Sequence, residues 1–316
     1  MKASFARWMV LLVILTVATF AASLWMGEVK GWNTAVLLHI RLPRAVLALI
    51  VGIALATAGA VYQGLLRNPL ADPYILGTSS AGTFGALVAT ILNFHFQLTL
   101  YVFSIGASFG SMILVYRIAT TRGRTPIQTL ILAGVVSSTF FSALVLLLFT
   151  LFRRESFSVL FFMLGSLSIA GTGWSIFVSG VLIAIGFLIA AFYARDLDAM
   201  SGGEEDAIHL GISVERTKQI LFFSSSLLVG ASVALAGSIG FVGLIIPHIL
   251  RLLVGPSHRK LILASAIGGG FFLMFMDILA RTLFSPVEVP VGVFTSLCGA
   301  PFFIFLLKRK QKELVY

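Results

Sequence analysis

The sequence predicts an all-α, polytopic membrane protein of about ten transmembrane helices, a single domain over residues 1–316 with an inverted internal repeat. Three observations carry that prediction. Apolar residues make up 59% of the chain and charged residues only 11%, where a soluble domain carries about 25% charged residues. The apolar residues gather into runs close to the roughly 20 needed to cross a bilayer core. Lys and Arg are segregated to one side of those runs, as in membrane proteins generally. A soluble fold cannot hide so much apolar surface, because surface-to-volume scaling forces much of any chain outward. The mean hydropathy of +1.04 agrees.

The runs fall at 8–27, 41–66, 75–93, 98–118, 127–152, 173–194, 217–239, 240–254, 261–281 and 291–307. In the first, Lys2 and Arg7 precede the apolar stretch and Ala21-Ala22-Ser23 lies near its end. That pattern also fits a cleaved signal peptide; its length and the spans that follow favour an uncleaved helix. Gly237, Gly240 and Gly243 mark a tight turn between the seventh and eighth runs. The short eighth needs shielding by neighbouring helices. Gly106 and Gly110 form a G-x-x-x-G in the fourth, read as helix packing within the subunit rather than a dimer contact.

With the N-terminus in the cytoplasm, sixteen of the 22 Lys and Arg residues lie inside. Lys30, Arg41, Arg44, Arg153, Arg154 and Arg281 lie outside. This bias predicts both termini inside a multi-pass cell membrane protein. It also accounts for the net charge of +10 without nucleic acid. Three connections are long. Residues 28–40 lie outside. Residues 153–172 lie outside and carry Phe157, Leu160, Phe161 and Leu164 at helical spacing, which predicts an interfacial amphipathic helix. Residues 195–216 lie inside and hold Asp196, Asp198, Glu204, Glu205 and Asp206, the most polar stretch of the chain.

The pattern V-G-x5-A-G-x9-P occurs twice, at Val51-Gly52, Ala58-Gly59 and Pro69, and at Val229-Gly230, Ala236-Gly237 and Pro247. The two copies sit in spans of opposite direction, as in inverted-repeat transporters; coincidence in a Gly- and Ala-rich chain is the alternative.

The motifs of catalysis are absent or out of context. There is no G-x-x-x-x-G-K-[ST] phosphate loop and no H-E-x-x-H; Gly106-Ala107-Ser108-Phe109-Gly110 spells G-x-S-x-G but lies within an apolar run, not at the strand-to-helix turn a nucleophile elbow needs. The five histidines are scattered, and the single Cys298 excludes an internal disulfide and a thiolate metal cluster. No catalytic residue, directly bound cofactor or metal is expected. Asp277 is the main candidate for a carboxylate within a span. Arg281 follows on the same helix face, so a structural ion pair is preferred to an ion-coupling site. The energy for transport is expected to come from elsewhere.

Several segments together resemble the permease subunits of type II ABC importers, the group that moves ferric siderophores, haem and vitamin B12. They are Arg41-Leu42-Pro43-Arg44; Gly59 through Asn68-Pro69-Leu70-Ala71-Asp72-Pro73; and Leu132-Ala133-Gly134. Further on come Ala236-Gly237-Ser238-Ile239-Gly240-Phe241-Val242-Gly243-Leu244 and Ile246-Pro247-His248-Ile249-Leu250-Arg251. Val289-Pro290-Val291-Gly292 and Gly299-Ala300-Pro301-Phe302 complete the set. The resemblance covers nearly the whole chain. It implies a ten-helix subunit, a second permease subunit (an identical copy or a close paralogue), two cytoplasmic ATPase subunits that bind the ATP, and an external substrate-binding protein. Ferric siderophore is the cargo it implies first, with vitamin B12 and haem as alternatives.

It also implies roles for three regions. Arg41, Arg44 and Arg281 match arginines that dock the binding protein through its glutamates; exposed guanidiniums outside suit that contact, and interfacial anchoring is the plain alternative. Gly203, Glu204, Glu205, Asp206, Ala207, Ile208, His209, Leu210 and Gly211 match the helices that couple to the ATPase, with Gly203 and Gly211 bracketing a short helix. Asn68 and Leu70 match a cytoplasmic constriction, and residues 126–129, including Ile127 and Gln128, match the loop facing it. The small hydroxylated residues Thr78, Ser79, Ser80 and Thr83, with Ser137, Ser138 and Thr139, suit either a weakly binding pathway wall or helix packing.

Overall fold

The computed structural model describes residues 2–27, 34–92, 97–152, 162–167 and 173–315. Helices dominate it; the only β-pairing among the described residues is an isolated bridge between Thr121 and Arg124. The helices are α1 (Lys2–Trp25), α2 (Leu42–Leu65), α3 (Thr78–Ile91), α4 (Gln97–Ala119), α5 (Ile127–Leu151) and α6 (Gly173–Phe192). They continue with α7 (Ala194–Gly202), α8 (Glu204–His209), α9 (Val214–Ala236), α10 (Val242–Val254), α11 (His258–Thr282) and α12 (Val291–Val315). Each predicted span contains a helix. Among the described residues, seven helices are long and apolar enough to cross a membrane. The helices α3, with 14 residues, and α10, with 13, are shorter. The chain is a multi-pass membrane protein. Of the predicted external amphipathic segment, Phe157, Leu160 and Phe161 lie outside the described residues.

The centre is a set of closely packed helices. A Cβ on Gly52 would sit 2.3 Å from the carbonyl oxygen of Gly269, and one on Gly59 would sit 1.9 Å from that of Gly243. These glycines let α2 lie against α11 and α10 at backbone distance, where any side chain would collide. Two of the larger polar side chains here are satisfied locally: Tyr62 pairs with Ser226 at 2.9 Å, and Gln63 donates to the Leu244 carbonyl at 3.1 Å. In a membrane interior such pairing is favoured, because water is not there to replace it.

The helix leading into the bilayer at α2 starts early. Residues 34–65 are continuously helical and run 32 residues, about 48 Å at 1.5 Å per residue, against a hydrocarbon core of about 30 Å. A π-turn over Leu37–Arg41 interrupts it, with the Leu42 N–H bonded to the Leu37 carbonyl. Pro43 follows at once; it has no N–H to continue the ladder, and the wider turn absorbs the defect.

One packing expectation needs correction. Gly106 and Gly110 meet nothing within 4 Å, and both are exposed. The inward face of α4 is instead Ser104, Ser108 and Ser111, with Ser108 donating to the Thr78 carbonyl at 2.9 Å. The small residues that pack inward are thus the serines, one face round the helix from the two glycines. The repeated pattern also diverges in structure. Gly59 lies inside α2 and Pro69 beyond it, whereas Gly237 ends α9 at φ 69° and Pro247 lies inside α10. The predicted tight turn is there: α9 stops at Ala236, and Phe241 (φ 69°) starts α10.

Candidate functional site

Three groups of residues stand out, and the first lies where α1, α2 and α11 end together. Arg44 donates from Nε to Asp277 Oδ1 at 2.9 Å, and from Nη1 to both oxygens of Glu288 at 3.0 Å. Arg281 lies 3.5 Å from Asp277 Oδ2 and donates at 2.7 Å to the Ser23 carbonyl and hydroxyl. Arg41 donates at 3.0 Å to the carbonyls of Leu24 and Trp25. Two guanidiniums thus cap the last carbonyls of α1, where positive charge also favours the helix end. The expectation of exposed guanidiniums does not hold: Arg41, Arg44 and Arg281 are 8%, 7% and 4% exposed. Burial of a charge demands a partner, and Asp277 and Glu288 supply it. The expected Asp277–Arg281 pair is present, but Arg44 is the closer partner of Asp277. Glu288 and Ser23 were not foreseen, since nothing local in sequence links them to Arg44 or Arg281.

The second group lies at the other end of α2. The Asn68 side chain accepts from the Leu70 N–H at 3.0 Å, which sets the turn after α2. Asp72 then caps the 3-10 turn Pro73–Leu76, accepting from the Tyr74 N–H at 2.7 Å. Burial pushes the Asp72 carboxyl up to about 6, partly opposed by that N–H. Ile127 lines a narrow apolar crevice with Leu65, Leu66, Leu130 and Phe222, while Gln128 is exposed.

The hydroxylated residues divide into two sets. Thr78, Ser79, Thr83 and Ser137 are buried in helix contacts; Ser79 donates to Ser238 at 3.0 Å and Ser137 pairs with Ser111 at 2.9 Å. Ser80, by contrast, meets Ser138 at 3.2 Å and Ser142 at 3.1 Å on the open side of α5, beside exposed Thr139. Only this second set faces outward from the subunit's core.

The third group is the polar stretch between α6 and α9. It is more structured than its composition suggests. Helix α7 follows α6 almost without a break, and Asp198 fastens it to the start of α11. That carboxylate accepts from the His258 N–H at 2.6 Å, pairs with His258 Nδ1 at 2.8 Å and accepts from Ser257 at 3.0 Å. Burial pushes Asp198 up, but the His258 and Ser257 hydrogen bonds and the His258 charge outweigh it and hold the carboxyl below its ordinary value. Helix α8 is the short helix expected, with Gly203 at its N-cap and Gly211 left-handed at φ 81° behind it. Ala207 is its buried side, while Ile208 and Leu210 are 59% and 71% exposed. Glu205, Asp206 and His209 are exposed too. A solvated charged loop does not present apolar side chains on a fixed helix.

Matching against known proteins places this arrangement. The FecCD transport family matches residues 5–309. The chain belongs to the FecCD family. The cobalamin import system permease BtuC of Halobacterium salinarum is 41% identical over 273 residues, 86% of this chain and 73% of its own. The hemin transport system permease HmuU of Yersinia pestis is 38% identical over 295 residues, 89% of this chain and 88% of its own. A solved structure described as a metal-chelate type ABC transporter in an inward-facing conformation superposes with a TM-score of 0.86. It is 32% identical and covers 96% of this chain and 99% of that one. The FecCD relatives are transport permeases, and the family resemblance seen in the sequence is therefore correct.

Proposed function

We propose that this chain is the permease subunit of an ATP-driven importer of metal chelates. The observation that carries the reading is the family match across almost the whole chain, joined to a membrane-proximal helix, α8, that offers exposed Ile208 and Leu210 to a partner. The subunit crosses the membrane ten times with both termini in the cytoplasm, counting α3, α10 and α12 with the seven longer helices. Two cytoplasmic ATPase subunits bind and hydrolyse ATP and seat against α7 and α8, through Gly203, Glu204, Glu205, Ala207, His209, Leu210 and Gly211. A second permease subunit faces the open side of α5, so that Ser80 and Ser138 border the passage. Asn68, Leu70, Ile127 and Gln128 close its cytoplasmic end.

A binding protein delivers cargo outside. Docking there works by exchange: a carboxylate of the binding protein replaces Glu288, which is partly exposed, on the guanidinium of Arg44. Arg41 and Arg281 hold the site in shape. Ferric siderophore is the cargo proposed first; the cobalamin and hemin relatives keep vitamin B12 and haem as alternatives. An ion-coupled carrier fits less well, because Asp277 is already neutralised by Arg44 and Arg281. The test is uptake in proteoliposomes containing the chain, its ATPase pair and its loaded binding protein. ATP-dependent accumulation is expected. Accumulation driven by an ion gradient without ATP would overturn the reading.

A further inference from the structure

A network of charges ties α8 to two neighbouring turns. Lys218, on α9, is only 8% exposed. Its ammonium lies 2.8 Å from Glu204 Oε2, on α8, and 3.1 Å from Glu215 Oε1. The second oxygen of Glu215 accepts the N–H of Thr125 at 3.1 Å. Thr125 is buried, and its hydroxyl meets that of Thr120 at 3.0 Å. Between them a two-residue turn, Arg122 (φ 52°) and Gly123 (φ 76°), is closed by the Thr121–Arg124 pair. Thr125 stands two residues before Ile127, where α5 begins. Arg67, in the turn that ends α2, approaches Glu204 Oε1 at 4.0 Å.

The chemistry makes Lys218 the centre of this network. Glu204 and Glu215 share one ammonium in a half-buried place. Without it, two carboxylates would face each other with reduced solvent screening, and breaking one side of a buried pair leaves a charge unmatched. Helix α8 has only six residues; it cannot hold its own position by length or by a large apolar face. It needs a fixed point, and Lys218 is the cation that both Glu204 and Glu215 reach.

We propose that Lys218 is the positioning residue that locks α8 to the 121–125 turn, so that the partner-facing helix and the start of α5 move as one body. This rests on the reading of α8 as the ATPase contact. In that setting, pushing α8 carries the first turn of α5, with Ile127 and Gln128, and pulls on Arg67 beside Asn68. Helix α7 is fastened separately, through Asp198 and His258, to α11. The cytoplasmic stretch therefore has two anchors that serve different helices.

Spin labels test the lock in the isolated chain. With Cys298→Ser, one pair at positions 208 and 122 spans α8 and the turn; a control pair at 201 and 259 spans α7 and α11. A narrow distance distribution is expected for both. Lys218→Met broadens the first and leaves the control unchanged, and Lys218→Arg restores the first. Should Lys218→Met not fold, the double variant Glu204→Gln/Lys218→Met removes the repulsion between Glu204 and Glu215 and gives the same readout. An unchanged first distribution, or equal broadening of both pairs, overturns the proposal. In proteoliposomes with the ATPase pair, Lys218→Met lowers uptake per ATP hydrolysed several-fold while hydrolysis persists. Uptake and hydrolysis falling together would mean that Lys218 serves only stability. The distance measurement needs no partner, so absence of ATP-driven uptake by the unaltered chain would sink the importer reading and leave the lock standing or falling on its own.

Discussion

Helices α2, α9 and α11 differ from α1, α4, α5 and α6 in one respect that organises the whole molecule. The first three bury 78%, 78% and 72% of their apolar windows within the chain; the others bury only 17%, 33%, 28% and 28%. All seven are apolar enough to span a membrane. Hydropathy therefore does not distinguish a helix that meets other helices from one that meets lipid or a second subunit. Packing does, and it is written in small residues. Where glycine faces glycine, as at Gly52 and Gly269, backbones touch; where it faces outward, as at Gly106, it makes no close contact within the chain. The central helices also carry both polar anchors, Arg44–Asp277–Arg281 at one end of α11 and Asp198–His258 at the other. A rigid interior with anchored ends suits a body that turns as a unit, while the outer helices supply surface.

Perturbations that separate the two regions test this contrast. The largest effect is expected for Gly59→Val, which drives a side chain into the Gly243 backbone. Overpacking of this kind costs about 1–3 kcal/mol or more, and thermal unfolding in detergent should show a large fall in Tm or no folded protein. Gly106→Val, with open space around it, should leave Tm almost unchanged; an equal loss at both positions would erase the contrast.

Next comes Asp277→Ala. It leaves the buried Arg281 with no carboxylate and Arg44 with Glu288 alone, and breaking a buried pair costs about 3–5 kcal/mol. Chemical denaturation should report a loss of that size. Removing Arg44 and Arg281 together with Asp277 should recover part of it.

Two carboxylates outside the spans, Asp72 and Asp198, give opposite pH dependences of smaller size. Asp72 titrates near 6 in the folded chain, above its unfolded value of about 3.9. The folded state therefore binds the extra proton, and stability rises as pH falls from about 7 to about 4. Asp72→Asn keeps the N-cap acceptor and should abolish that rise. Asp198 is held below its ordinary value, so its contribution is present above about 3.9 and is lost as pH falls through its lower folded value. Asp198→Asn should remove this acid-side loss. Melting curves of the two variants across pH check both signs.

The smallest change in stability is expected on the open face of α5. Leu132 and Val136 are 65% and 61% exposed, so Leu132→Ser with Val136→Ser should shift the isolated chain by no more than about 1 kcal/mol. The same variant should weaken self-association in nanodiscs, read by cross-linking. Stability lost without any change in association would assign this face to internal packing.

Much of the fold was readable because it depends on composition and period. All ten apolar runs carry helices, the turn at Gly237 is where it was expected, and Gly203 and Gly211 do bracket a short helix. What escaped depends on contacts far apart in sequence. Arg44 looked like an exposed cation because Glu288 and Asp277 stand more than two hundred positions away. Lys218 looked like an ordinary cytoplasmic charge, since its bond to Glu204 crosses from α9 to α8. Helix α7 was hidden because its polar residues obscure the period, although Leu197 and Met200 bury one side. Gly106 and Gly110 misled for the converse reason: a motif gives spacing, and only a neighbour gives it a use.

The central claim is that this chain supplies the walls of a passage whose work is done by proteins at its two mouths. Its most direct test uses liposomes holding the purified chain with its ATPase pair, supplied with loaded binding protein, while chelate uptake and ATP hydrolysis are followed together. Uptake that needs both ATP and the binding protein, and that fails when Ile208 and Leu210 are both changed to Asp, is the predicted result. Uptake by the chain alone, or uptake indifferent to α8, would contradict the account.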